Sequence, residues 1–256
     1  MTRRAAILDL DGTVWRGHQL IPGADEGIAA LEDAGLRIHF VTNSTGVDRE
    51  TFPRTLESLG IPGDVGGLST SASATATYLA EHHPNATVFV VGSDVLRGEV
   101  RRAGLAVVES GPADVVAAGK ALDIDYDLLT ETLRAFEPGT LFVATNTDRT
   151  IPTEDGLKPG AGSTIGAITG MTGRDPLVVG KPSEHMADAV TTRLGVDPGE
   201  CLVVGDNLRT DILMAERAGM ESALVLSGAT SREEIGGSGI DPDHVLQSLG
   251  DVASIL

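Results

Sequence analysis

The stretch AAILDLDGT, residues 5–13, decides the fold class of this chain. An apolar run opens it, and Asp9 and Asp11 then follow two residues apart, ahead of Gly12 and Thr13. A short apolar run closed by turn residues predicts a strand over 5–10 that is buried on both faces. Side chains two apart on a regular strand point the same way, so the strand would present two carboxylates on one side of its carboxyl end.

Short apolar runs alternate with helical periods along the rest of the chain. This alternation predicts an α/β fold with a mostly parallel sheet. Helices are predicted over 27–34, 52–59 and 212–218, each followed by a glycine suited to end it. Gly236-Gly237-Ser238-Gly239 and Asp241-Pro242 are predicted to be turns. The further predicted strands cover 38–41, 87–91, 114–118, 141–145, 177–179, 201–204 and 222–226.

Several predicted strands end abruptly in polar residues. Ligands of open parallel sheets bind beyond the carboxyl ends of the strands, so we expect these polar groups to share one site. The segments concerned are Asp9-Leu10-Asp11-Gly12-Thr13, Thr42-Asn43-Ser44, Gly180-Lys181-Pro182 and Gly205-Asp206-Asn207 with Asp211.

Convergence of Asp9, Asp11 and Asp206 would call for a cation. Two like charges about 4 Å apart repel by about 4 kcal/mol at an effective dielectric of about 20. Oxygen ligands in a compact site favour Mg²⁺, which bridges to substrate phosphate. The six histidines and the single cysteine show no zinc spacing. The sequence therefore predicts a magnesium site.

The remaining groups supply the parts that phosphoryl transfer needs. Lys181 can neutralise a phosphoryl oxygen as a point charge, and Thr42 and Asn43 can donate hydrogen bonds to the same oxygens. An aspartate beside a metal can act as nucleophile and form an aspartyl phosphate. A second carboxyl two residues on can protonate the leaving oxygen and then deprotonate water.

These motifs resemble, in order, the four signatures of the haloacid dehalogenase-like hydrolases. Residues 9–13 resemble the first signature, Thr42-Asn43-Ser44 the second, Lys181 the third and residues 205–211 the fourth. Segments that resemble the NagD-type branch cover 144–148, 159–163 with Pro152 and Gly156 before them, 205–213 and 225–228. The similarity extends over essentially the whole chain.

The resemblance implies a Rossmann-like core domain in two pieces, 1–77 and 178–256, with a class IIA α/β cap at 78–177 that determines substrate specificity. It implies that Asp9 is the nucleophile and a metal ligand. Asp11 would be the acid–base residue, with its backbone carbonyl on Mg²⁺. Asp206 would be the other carboxylate ligand, and Asp211 would support the site from outside the ligand shell. The implied phosphate-binding residues are Thr42, Asn43, Ser44, Lys181 and Asn207.

We therefore expect a Mg²⁺-dependent phosphatase of small phosphomonoesters: sugar phosphates, nucleotide monophosphates or phosphoglycolate-like compounds, with 4-nitrophenyl phosphate as generic substrate. One alternative is a dehalogenase in which the same aspartate attacks carbon. That chemistry needs neither a metal nor an acid, so Asp11, Asp206 and Asp211 argue against it. A second alternative is a regulatory protein that binds a phosphorylated ligand without turnover.

Composition narrows the class of partner. The net charge is −18, so the surface should repel nucleic acid and anionic membranes. Only three of the 19 basic residues are lysine, a balance that resembles salt-adapted proteins and that a GC-rich genome also favours. Cys201 is alone, and no apolar stretch is long enough to span a membrane. We expect a cytoplasmic protein whose partners are a small phosphorylated metabolite and a second copy of itself.

Overall fold

A computed structural model of the chain describes residues 2–153 and 156–256. Met1, Glu154 and Asp155, which fall in the predicted core and cap ranges, lie outside the described residues. The architecture is α/β with parallel sheets, as the sequence predicts. Within the described ranges, no helix has both the length and the apolar character to cross a bilayer.

The strands are β1 (Ala5–Asp9), β2 (Trp15–Arg16), β3 (Gln19–Leu20), β4 (Arg37–Thr42), β5 (Gly66–Thr70), β6 (Thr87–Val91), β7 (Ala106–Val108), β8 (Val115–Ala118), β9 (Leu141–Ala144), β10 (Thr150–Thr153), β11 (Gly156–Pro159), β12 (Leu177–Val178), β13 (Cys201–Gly205), β14 (Glu221–Val225) and β15 (His244–Leu246). The α-helices are α1 (Ala24–Asp33), α2 (Phe52–Ser58), α3 (Ser71–His82), α4 (Asp94–Arg102), α5 (Tyr126–Ala135), α6 (Ala161–Thr172), α7 (Glu184–Leu194), α8 (Leu213–Ala218) and α9 (Arg232–Ser238).

The first compact unit comprises Met1–Thr42, Arg49–Ser69 and Lys181–Leu256. Its six-stranded sheet has the order β15-β14-β13-β1-β4-β5. Strand β1 is completely buried and pairs in parallel with β13 on one side and β4 on the other. Because parallel neighbours end at the same sheet edge, the carboxyl ends of β1, β4 and β13 are adjacent.

The second compact unit comprises Asn43–Asp48 and Thr70–Gly180. Its five-stranded sheet has the order β12-β9-β8-β6-β7, and every pair in it is parallel. Branched and aromatic side chains from β6, β8, β9 and α6 form its core. The longer piece of this unit starts at Thr70, which caps α3, and it includes α3 because α3 packs on α4. The predicted cap range, 78–177, is slightly shorter and stays a prediction.

One predicted turn was wrong. Residues Gly236, Gly237 and Ser238 were expected to form a turn with Gly239, but they lie in α9, which ends at Gly239. The reason is a capping box at Ser231, whose side chain and backbone exchange hydrogen bonds with Glu234. Such a box starts a helix strongly enough to offset the poor helix propensity of two glycines.

Candidate active site

Three buried carboxylates meet at the carboxyl edge of the first unit's sheet. Asp9 ends β1, Asp206 follows β13, and Asp211 lies in the π-helical turn Leu208–Ile212. One oxygen from each lies within 4.8 Å of the other two. The carboxylate that joins Asp9 and Asp206 is therefore that of Asp211, whereas the strand spacing suggested Asp11. The reason is local, because β1 ends at Asp9 and the chain turns before Asp11.

Lys181 links two of these carboxylates. Its side chain is 4% exposed, and its ammonium donates to Asp9 Oδ1 and, at 2.5 Å, to Asp211 Oδ1. Burial alone lowers the pKa of a lysine, but the charges of Asp211 and Asp9 raise the pKa of Lys181 above its usual value. The side chain is therefore a permanent cation that holds Asp9 in place.

Two glycines, Gly12 and Gly228, lie close against the Asp206 carboxylate. A methyl group added to Gly228 would lie 1.8 Å from Asp206 Oδ2, and one added to Gly12 would lie 2.3 Å from it. The amide of Ala229 donates to Asp206 Oδ2 at 2.5 Å. Burial, and then the charge of Asp211, raise the pKa of Asp206 to about 7. Only residues without a side chain allow the loop to approach this carboxylate so closely.

Asp211 has both oxygens engaged. Oδ1 accepts from Lys181, and Oδ2 accepts from the Asn207 amide at 3.1 Å. Gly205 leaves room for it, since an added methyl would lie 2.3 Å from its Cγ. Asn207 caps the π-helical turn, with its side chain accepting from the Arg209 amide at 2.9 Å. Asp211 therefore fixes Lys181 and the turn.

The cluster has the chemistry of a divalent-cation site. Three carboxylates surround one ammonium, so full ionisation of the cluster would leave two negative charges uncompensated in a buried place. Burial raises the pKa of Asp9 well above its usual range, Lys181 opposes this, and the charges of Asp211 and Asp206 add to it. Lys181 donates to Asp9 Oδ1 and the Ala229 amide to Asp206 Oδ2, so each carboxylate has a second oxygen to offer a cation. Oxygen donors with excess negative charge suit Mg²⁺.

Asp11 lies on the turn after β1 and is held by Trp15. The Trp15 indole nitrogen donates to Asp11 Oδ1 at 3.1 Å. Burial of the carboxyl raises the pKa of Asp11, although the residue as a whole remains exposed, and the bond from Trp15 opposes that rise. Trp15 itself is buried against Phe52. Trp15 is therefore a packed residue whose indole nitrogen faces Asp11, and the sequence motifs did not single it out.

The loop Ser227–Thr230, which follows β14, was also missed as part of the site. Besides the bond from Ala229, the Thr230 amide donates to the Asp206 carbonyl at 3.1 Å. Ser227 Oγ donates to the Gly12 carbonyl at 2.7 Å, and Arg16 donates to the Ser227 carbonyl. The loop thus joins the turn after β1 to the end of β13. The sequence signal was the small-residue run SGAT, residues 227–230.

The predicted phosphate-binding segment is divided between the two units. Thr42 is buried at the end of β4 in the first unit. Asn43 belongs to the second unit, where the Asn146 side-chain amide donates to its carbonyl at 2.9 Å. The Asn43 amide group donates to Asp148 Oδ2 at 3.3 Å. Ser44 Oγ accepts from the Gly46 amide at 3.2 Å.

Comparison with known proteins gives consistent matches over the whole chain. The profile described as haloacid dehalogenase-like hydrolase matches residues 6–106, and one described as HAD-hydrolase-like matches 178–252. The sugar-phosphatase AraL of Bacillus subtilis is 38% identical over 97% of this chain and 92% of its own length. The p-nitrophenyl phosphatase structure from Archaeoglobus fulgidus is 37% identical, with a TM-score of 0.92 and 100% of both chains covered. The NagD structure from E. coli K-12 is 31% identical, with a TM-score of 0.89 and 98% of both chains covered.

Proposed function

This chain belongs to the haloacid dehalogenase-like hydrolases and is a NagD-type phosphatase of small phosphomonoesters; we propose that it works through an aspartyl phosphate on Asp9. The observation that supports this most is the buried pair of Asp9 and Lys181 beside Asp206 and Asp211. Lys181 binds Oδ1 of Asp9. Oδ2 accepts no hydrogen bond from the described residues and is the oxygen that attacks phosphorus.

Mg²⁺ is the cofactor that we propose for this site. Asp9 and Asp206 would hold it through carboxylate oxygens, with the backbone carbonyl of Asp11 as a third ligand and Asp211 supporting from outside. When bound, the ion supplies positive charge that stabilises the negative charge developing on the transferred phosphoryl group.

Side chains of the protein carry out the proton transfers and bind the phosphoryl oxygens. Asp11 protonates the leaving oxygen as Asp9 attacks, and in the second step it takes a proton from the water that hydrolyses the aspartyl phosphate. We propose that the hydrogen-bond donors and the charge that hold the phosphoryl oxygens come from Thr42, Asn43, Ser44, Lys181 and Asn207. Fixed donors of this kind need no reorganisation when the transition state forms.

For substrates, we propose sugar phosphates first, then nucleotide monophosphates and phosphoglycolate-like compounds. The name of the sugar-phosphatase AraL supports the first class, and that of the Archaeoglobus enzyme supports 4-nitrophenyl phosphate as a generic substrate. We propose that the range 78–177 is the cap that determines this choice, as the family resemblance implies.

The acidic, lysine-poor composition supports a proposed working environment. We propose a cytoplasmic enzyme of a salt-adapted cell, a homodimer that binds neither nucleic acid nor membranes. A net charge of −18 needs screening before a phosphate dianion can approach readily, and salt provides it.

The experiment that tests the function is phosphate release from a panel of phosphomonoesters, with Mg²⁺ and with EDTA, at low and at molar KCl. We expect release that EDTA abolishes, with sugar phosphates among the better substrates. Binding of these esters without any release would favour the regulatory alternative. Chloride release from 2-haloacids without Mg²⁺ would favour the dehalogenase alternative.

A further inference from the structure

Trp15 is fixed against the turn that carries Asp11. Its backbone amide donates to the Leu10 carbonyl at 3.1 Å, and its carbonyl accepts from the Gly12 amide at 2.7 Å. The residue is 5% exposed and packs against Phe52, with ring centroids 6.2 Å apart. The indole is therefore held in place from two sides before it meets the carboxylate.

The indole nitrogen touches only one of the two carboxylate oxygens. It donates to Asp11 Oδ1 at 3.1 Å, and no described residue donates to Asp11 Oδ2. An indole N–H is a donor and never an acceptor. Oδ1 is therefore the acceptor in this bond whether the carboxyl is ionised or protonated. The carbonyl oxygen of a carboxylic acid accepts more strongly than its hydroxyl oxygen, so the bond favours Oδ2 as the oxygen that carries a proton.

We propose that Trp15 is a positioning residue that makes Oδ2 of Asp11 the oxygen that gives and takes the catalytic proton. This rests on the proposed function. In the first step the Asp9–phosphorus bond forms, the phosphorus–oxygen bond to the leaving group breaks, and the proton on Oδ2 moves to that oxygen. In the second, the water oxygen bonds to phosphorus, a water proton moves to Oδ2, and the Asp9–phosphorus bond breaks.

The loss of activity on removing the indole donor should therefore depend on the leaving group of the substrate. An alkoxide leaves poorly without a proton, whereas 4-nitrophenolate leaves readily, so only the first needs a well-aimed acid. Trp15→Phe keeps an aromatic ring and removes the donor. We expect kcat for an alkyl phosphomonoester such as glycerol phosphate to fall about ten-fold or more. We expect kcat for 4-nitrophenyl phosphate to fall less than about three-fold, with KM for both substrates unchanged.

An isosteric replacement removes the donor without changing the packing. The chain contains a single tryptophan, so biosynthetic incorporation of benzothienylalanine, in which sulfur replaces the indole N–H, alters position 15 alone. The substituted protein keeps the shape of the Trp15 side chain, so it can be used for the test if Trp15→Phe does not fold. Its kcat should fall with the alkyl ester and hold with the aryl ester, as for Trp15→Phe.

Phe52→Leu is the packing control, because it removes the aromatic ring beside Trp15 and retains the indole N–H. Phe52→Leu should change kcat for both substrates by the same factor. Equal loss with both substrates in the benzothienylalanine protein, or no loss with either, would overturn the role of Trp15. Failure of the proposed function is separate, since wild-type protein would then release no phosphate or Asp9→Asn would remain active.

Discussion

Gly228→Ala tests whether the loop after β14 positions Asp206. The added methyl would lie 1.8 Å from Asp206 Oδ2, 2.4 Å from Cγ and 2.5 Å from Cβ. Side-chain carbons do not approach other atoms this closely, so either the Asp206 carboxylate or the loop must move. Gly228 does not have a positive φ, so backbone strain is not the cause of the effect. Movement breaks the bond between the Ala229 amide and Asp206 Oδ2, which is 2.5 Å long.

The expected magnitude follows from the role of partners around metal ligands. Loss of a group that orients a ligand weakens metal affinity about 10–100-fold. Overpacking lowers the free energy of unfolding by about 1–3 kcal/mol. We therefore expect Gly228→Ala to raise the Mg²⁺ concentration for half-maximal phosphate release by at least about ten-fold, and to lose most of the stabilisation by Mg²⁺ seen in thermal unfolding.

Gly236→Ala is the matched control for this substitution. A methyl group at Gly236 meets nothing within 4 Å, and the residue lies inside α9 without a positive φ. It should leave the Mg²⁺ dependence unchanged and raise the free energy of unfolding by about 0.5–1 kcal/mol. Wild-type Mg²⁺ affinity in Gly228→Ala, measured by calorimetric titration, would refute the assignment of Asp206 and its loop to the metal site.

Three further predictions concern charge and pH. Lys181→Met leaves Asp9 and Asp211 buried without their cation, so the free energy of unfolding in chemical denaturation should fall by about 3–5 kcal/mol; an unchanged midpoint would contradict the ion-pair geometry. Burial, and then the charge of Arg193, lower the pKa of His39 to about 4. His39 in the unfolded chain therefore binds a proton below about pH 6.5, whereas His39 in the folded chain stays neutral down to about pH 4. The contribution of His39 to the free energy of unfolding should therefore be complete above about pH 6.5 and fall by about 3 kcal/mol as the pH drops to about 4. Urea titrations at several pH values should show that His39→Gln lacks this part of the loss. A pH profile of His39→Gln identical to that of the wild-type protein would contradict this prediction. Added KCl should lower KM for a phosphomonoester by screening the acidic surface, and a KM that rises steadily with KCl would contradict this.

The fold and the central groups of the site were largely predictable from strand-end patterns. The run that ends in Asp9 and the run that ends before Asp206 are both short, apolar and followed by turn residues, and they form neighbouring strands. Parallel pairing then brings their carboxyl ends to one edge. Lys181 follows a third apolar run, and its contact with Asp9 is a consequence of how the third piece of the first unit returns to the sheet.

Other parts of the site depend on local geometry that no periodicity encodes. The turn after β1 separates Asp11 from Asp9, because three successive amides, those of Thr13, Val14 and Trp15, donate to one carbonyl. This turn is what brings the Trp15 indole to Asp11. The close contact of Gly12 and Gly228 with Asp206 likewise depends on the tertiary structure, since these two glycines are far apart in the chain.

The most direct measurement is to identify the residue that carries the phosphoryl group during turnover. Wild-type protein with Mg²⁺ and 4-nitrophenyl phosphate is quenched in acid within the first turnovers, and its peptides are examined by mass spectrometry. We predict a phosphoryl group on the peptide that contains Asp9, and none in Asp9→Asn, which should also release no phosphate. A phosphoryl group on another residue, or phosphate release at the wild-type rate by Asp9→Asn, would contradict nucleophilic attack by Asp9.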